Sequence, residues 1–126
     1  MAFQLRDDML GIWAASSQSG KAPAGDLRRK KMSLPVIQAL ETASPDDRSA
    51  LQSIYLSGGE ATDDEIQMAL AVLERTKSRE QSSAMARTYG ERARAIFGSI
   101  ASLRDDPTAA QRDLGVLLEF VMDGAR

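Results

Sequence analysis

Two adjacent carboxylates, Asp7 and Asp8, stand near the start of the chain, and basic residues follow at Lys21 and across Arg28-Arg29-Lys30-Lys31. Read as a helix, the first stretch brings Gln4, Asp7, Asp8 and Gly11 to one side, because residues three and four apart are neighbours on a helical surface. Phe3, Leu10 and Trp13 supply apolar contact on the other faces. An acid pair in an apolar setting is costly unless water, a cation or a basic partner faces it. Adjacent carboxylates can hold Mg2+, a hard cation that takes a few carboxylate ligands and keeps room for phosphate oxygens and water. Lysines beyond a loop can then reach the same phosphates. Acid pair, loop and basic cluster together describe a metal–diphosphate site.

These residues must be carried by helices. Residues 1 to about 15 read as one, ending where Ala15-Ser16-Ser17-Gln18-Ser19-Gly20 turns small and polar. Residues 16 to about 31 lack apolar periodicity and contain Gly20, Pro23 and Gly25, which reads as a loop. Ser33 followed by Pro35 predicts a helix start, with Leu34, Ile37 and Leu40 as its apolar stripe. Ser44-Pro45-Asp46-Asp47 is a cap with acids favourable to the helix dipole, and the helix it opens carries Leu51, Ile54 and Tyr55 until Gly58-Gly59. Thr62-Asp63-Asp64-Glu65 matches a capping box, ahead of the stripe Ile66, Ala69, Leu70 and Leu73. From about Arg79 to Leu103 the positions Met85, Tyr89, Ala93, Ile96, Phe97, Ile100 and Leu103 keep the helical period. Asp106-Pro107 opens a last helix with Leu114, Leu117, Leu118, Val121 and Met122 as its core face. No stretch alternates like a strand. The expected fold is all-α, an antiparallel helical bundle with short turns.

Composition narrows the function classes. The 126 residues are 43% hydrophobic and 27% charged, the balance of a globular domain. There is no cysteine and no histidine, so disulfides, thiolates, imidazole bases and zinc sites drop out. A net charge of −2 argues against a general nucleic-acid binder. No apolar run reaches the length of a transmembrane segment and no signal pattern opens the chain, so the cytoplasm is the expected address. The acid pairs at Asp46, Asp63 and Asp105 sit at helix starts, where capping and dipole effects of roughly 0.3–2 kcal/mol account for them. Trp13 reads as core or rim packing.

A family resemblance sharpens this. Phe3-Gln4-Leu5-Arg6-Asp7-Asp8-Met9-Leu10-Gly11, Gly20-Lys21, Asp26-Leu27, Lys30-Lys31 and Ser33-Leu34-Pro35 resemble, in order and spacing, the second aspartate-rich region of trans-type polyprenyl diphosphate synthases. These are the head-to-tail isoprenoid chain elongators. The stretch from Ala86-Arg87-Thr88-Tyr89 to Leu117-Leu118-Glu119-Phe120-Val121 resembles the family's closing helices, so the likeness covers nearly all of residues 1–126. Three positions depart from the pattern. Gly11 stands for the usual third aspartate, and Ala24 and Lys30 stand where glycine is common. Gly11→Asp is therefore expected to be tolerated, and Lys30 to point to solvent.

The resemblance implies the C-terminal part of the isoprenoid synthase fold. It implies a prenyltransferase that condenses isopentenyl diphosphate with an allylic diphosphate, using Mg2+ to ionise the allylic partner. Asp7 and Asp8 would hold the metal, Lys21 and Lys31 would contact the allylic diphosphate, and Gln4 and Asp26 would be neighbouring polar contacts. Members are homo-oligomers, typically dimers. The first aspartate-rich motif is absent upstream of residue 3, so the expectation is an incomplete chain that is inactive alone. The alternative is a non-catalytic helical partner subunit of a complete synthase. A basic-loop adaptor would explain Arg28 to Lys31 but not Phe3-Gln4 or Asp7-Asp8. Product chain length is not readable from these residues.

Overall fold

Where a helix can begin is decided by which groups accept its first free N–H donors. Two of the expected caps do this in the computed structural model. Ser44 Oγ accepts from Asp47 N at 3.2 Å and opens a helix over Pro45–Leu56. Thr62 and Glu65 form the reciprocal capping box, at 3.2 and 2.8 Å, and open the helix Asp63–Arg75.

The structure describes residues 2–14, 24–101, 112, 115 and 116. Among these the helices are α1 (Ala2–Trp13), α2 (Gly25–Arg28), α3 (Leu34–Thr42), α4 (Pro45–Leu56), α5 (Asp63–Arg75) and α6 (Ser78–Ala101). The described residues contain no strand, and the fold is all-α as expected. The last helix expected after Pro107 falls largely outside the described residues. One turn of helix, α2, forms inside the segment read as loop. It starts after Ala24, which takes the left-handed conformation at φ 54°.

The described residues divide into two units, residues 7–82 and a second made of residues 2–6 with 83 onward. In the first, α3, α4 and α5 pack on one another and α2 packs on α5. Their core holds Val36, Leu51, Ile54, Ile66, Val72 and Leu73, all buried, with Ile12 and Leu27 joining from α1 and α2. Each such side chain removed from water is worth about 1.5–3 kcal/mol. Arg75 binds Asp47 through two bonds of 2.9 and 2.5 Å, tying the end of α5 to the start of α4. Ser82 donates to Gln38 Oε1 at 2.7 Å inside the core, so both buried polar groups are satisfied. Trp13 packs partly buried against the core, with the Arg79 guanidinium 5.8 Å above its ring.

The stripe of α3 has a different phase from the one expected. Ile37 is exposed, and Pro35, Val36, Gln38 and Ala39 are buried instead. Apolar residues occupy consecutive positions there, so their period is clear and their phase is not. On α1, Phe3 and Leu10 are exposed, while Leu5, Asp8 and Ile12 are buried at spacings of three and four.

In the second unit α6 continues past residue 83. Arg92 lies 6.0 Å over the Tyr89 ring, and Thr88 Oγ1 donates to Ala84 O at 3.0 Å. Ile96, expected in the buried stripe, is exposed, because it falls one residue off the face that carries Ala93 and Phe97.

Candidate functional site

The helical period separates the two carboxylates. Asp8 lies on the buried face of α1 with Leu5 and Ile12, and Asp7, about 100° around the helix, is exposed. Asp8 Oδ1 accepts from Lys31 Nζ at 2.9 Å and Oδ2 from the backbone N–H of Leu34 at 3.1 Å. Leu34 is the first residue of α3, so Asp8 caps that helix from another element. Ser33, the cap expected from sequence, makes no capping bond, and its hydroxyl is buried without a partner.

Lys31 reaches two carboxylates. Its ammonium is 2.9 Å from Asp8 Oδ1 and 3.4 Å from Asp26 Oδ2. The hydrogen bond to Asp8 is the main cause that raises the Lys31 pKa above its ordinary value, against some loss from burial. The side chain remains half-exposed, and an ammonium has three donors, of which these contacts use two. Asp26 is buried on α2 and its Oδ1 accepts from Arg29 Nη2 at 2.7 Å.

The other cations of the basic cluster are also engaged. Arg28 pairs with Asp63 at 2.6 Å and donates to Ala61 O at 3.4 Å. Lys30, expected to face solvent, instead donates to Ser57 O and Oγ at 2.8 and 2.7 Å. Lys30 has φ 55°, in the left-handed region, and its ammonium reaches the residues that follow α4. Ala24 and Lys30, where the resembling family prefers glycine, are thus both in the left-handed region, where glycine carries no steric cost.

Gly11 also has a spatial reason. A Cβ built there would overlap Oδ2 and Cγ of Asp26 and lie 2.9 Å from Oδ1. The expectation that Gly11→Asp is tolerated is therefore corrected: the space is already filled by a carboxylate. Gln4 is exposed one turn before Asp7. Lys21 lies outside the described residues. Tyr55 was not singled out from sequence as a site residue; its hydroxyl donates to Lys31 O at 3.1 Å, and only the fold brings them together.

Among the described residues no three carboxylates lie close enough to form a metal cage. Mg2+ does not require one, since it is commonly bound by one or two carboxylates plus phosphate oxygens and water. Asp7, outward and exposed, fits that donor set. Asp8 fits it less well, because both of its oxygens already accept from the protein.

The polyprenyl synthetase family pattern matches residues 1–73. The chain belongs to the polyprenyl synthetase family. It is 29% identical over 98% of its length to a geranylfarnesyl diphosphate synthase of Aeropyrum pernix, covering 36% of that protein. To a short chain isoprenyl diphosphate synthase of Methanothermobacter thermautotrophicus it is 31% identical over 98% of its length, covering 35%. The crystal structure of a polyprenyl synthetase from Streptomyces coelicolor A3(2) superposes with a TM-score of 0.75 at 28% identity, over 95% of this chain and 36% of that one. The chain thus spans about a third of the length of these relatives of the polyprenyl synthetase family. No described helix is long and apolar enough to cross a membrane.

Proposed function

We propose that this chain forms one wall of a prenyl diphosphate synthase site, corresponding to the C-terminal portion of the synthase domain. The reaction is head-to-tail condensation of isopentenyl diphosphate with an allylic diphosphate. The observation that carries the reading is the outward Asp7 beside the fixed array Asp8–Lys31–Asp26, in a chain of this family.

The difficult step is separating a diphosphate from an allylic carbon. Charge grows on the leaving oxygens, and catalysis comes from groups already placed to meet it. Mg2+, when bound, would supply positive charge to those oxygens. Asp7 is the residue to hold it, through an oxygen or an intervening water. Asp8 serves from behind by fixing Lys31 and the first turn of α3. Lys31 presents its remaining donor to a diphosphate oxygen, and Lys21 is its partner from the preceding segment. Gln4 and Asp26 complete the polar surroundings. The opposite wall, with the first aspartate-rich motif, comes from elsewhere, so the chain alone is expected not to turn over. A homo-oligomer belongs to the same reading by family likeness, and a cytoplasmic address is the default that goes with it.

The test is calorimetric titration of the chain with inorganic diphosphate, with and without Mg2+. Wild type is expected to bind in a Mg2+-dependent way and Asp7→Asn to lose most of that dependence. Equal, Mg2+-independent behaviour of the two proteins would favour the non-catalytic partner subunit.

A further inference from the structure

We propose that Tyr55, at the end of α4, is a positioning residue for Lys31: its hydroxyl fixes the Lys31 carbonyl and, through it, the direction of the ammonium. Lys31 lies in the link between α2 and α3, where no helix sets the backbone. A lysine there has a four-carbon stem and much rotamer freedom to lose. Three hydrogen bonds take the place of a helix. The Lys31 N–H donates to Asp26 O at 2.9 Å, and Lys31 O accepts from Ser33 N at 2.9 Å and from the Tyr55 hydroxyl at 3.1 Å. A carbonyl oxygen has two lone pairs, and these two donors use both. Asp26 and Ser33 are near neighbours in sequence, whereas Tyr55 is 24 residues away. Of the three bonds, the one from Tyr55 alone refers the link to a distant helix.

Tyr55 is itself well held. It follows the buried Ile54 and lies one helical turn after the buried Leu51, so its ring packs partly buried against the core. Burial, helped by the Asp26 carboxylate, pushes its pKa up to about 12, so the phenol stays a donor at neutral pH. The same helix end is tied to the basic cluster in the opposite sense, since Lys30 Nζ donates to Ser57 O and Oγ at 2.8 and 2.7 Å. Adjacent lysines are thus referred to one place, Lys30 by its side chain and Lys31 by its backbone. At the far end of its stem, the Lys31 ammonium meets Asp8 at 2.9 Å and Asp26 at 3.4 Å. With carbonyl and ammonium both fixed, few stem rotamers remain and the third donor keeps one direction. The consequence for diphosphate rests on the proposed role of Lys31, but the positioning does not.

The full chain is compared as wild type, Tyr55→Phe, Lys31→Met and the double variant. Phenylalanine keeps the packed ring and removes only the hydroxyl. In calorimetric titration with inorganic diphosphate and Mg2+, Tyr55→Phe should bind about twofold to tenfold more weakly, the range one neutral hydrogen bond can supply. In the Lys31→Met background the same change should cost nothing further, because the two residues act as a unit. Equal losses in both backgrounds, or no loss in the first, overturn the proposal. The second measurement uses no diphosphate: hydrogen exchange of the Lys31 ammonium, followed by NMR, which is slow while its partners hold it. Exchange should quicken in Tyr55→Phe, and a rate indifferent to the hydroxyl overturns the proposal. If Lys31→Met does not fold, the Tyr55→Phe affinity and the ammonium exchange decide. If wild type does not bind diphosphate at all, the proposed function falls and the exchange rate alone decides the role of Tyr55.

Discussion

The Asp8 carboxylate accepts from the backbone N–H of Leu34 at 3.1 Å, so a side chain of α1 caps α3 across 26 residues of sequence. Neighbouring Asp7 makes no comparable commitment and faces outward.

This predicts opposite outcomes for two adjacent substitutions. Asp8→Ala removes a cap and a charged hydrogen bond and should cost about 2 kcal/mol of stability. Asp7→Ala should stay within about 0.5 kcal/mol, as exposed positions do. In the complete synthase, however, Asp7→Ala should slow turnover about 100-fold or more, the usual effect of losing a group that stabilises leaving-group charge. Urea unfolding and steady-state rates, measured side by side, separate the two roles.

Alkaline pH should loosen the site from two groups at once. Burial, helped by the Asp26 carboxylate, pushes Tyr55 up to about 12 from 10.0. Lys31 is also raised, from 10.5. A group raised on folding stabilises fully below its unfolded value and loses that contribution as pH climbs through its folded one. Stability should therefore fall from about pH 10 toward 12. Tyr55→Phe should remove the tyrosine share of the fall, followed as the urea midpoint against pH.

The shifted stripe of α3 is open to a paired test. Val36 is fully buried and Ile37 is not. Val36→Ala should cost about 2 kcal/mol through lost burial and a cavity, whereas Ile37→Ala should cost under about 1 kcal/mol. Equal losses would restore the stripe Leu34, Ile37 and Leu40.

Lys77 has φ 54° at the junction of α5 and α6. A non-glycine residue there bears roughly 1–2 kcal/mol of steric cost, and glycine bears none. Lys77→Gly should raise the thermal midpoint, with no change in diphosphate binding. A lower midpoint would mean that the Lys77 side chain makes a contribution larger than the strain.

Features written in neighbouring residues were legible from sequence. The Thr62–Glu65 box and the Ser44 cap need only a three-residue interval, and both formed. Helix α2 was missed because four residues are too few to show a period. The site was harder for a different reason. Asp7 and Asp8 are equivalent on paper, and only the packing of Leu5 and Ile12 decides which one turns inward. The crowding around Gly11 was hidden because Asp26 arrives from a separate element. Lys30 does not take its expected direction, because its partner Ser57 lies 27 residues along the chain and only the fold brings it near.

The turn after α4 is stapled to the basic cluster from both ends. Lys30 holds Ser57, Ala61 N donates to Arg28 O at 2.9 Å, and between them the chain crosses Gly58-Gly59-Glu60. The spacing from Ser57 to Ala61 is therefore a ruler for the cluster. One residue added to or removed from that stretch would pull Arg28 and Lys30 out of register with each other, and Lys31 is the next residue along. Length drift in this turn would be felt at the ammonium facing Asp8, so this short connection is constrained by a pair of carboxylates that it does not itself touch.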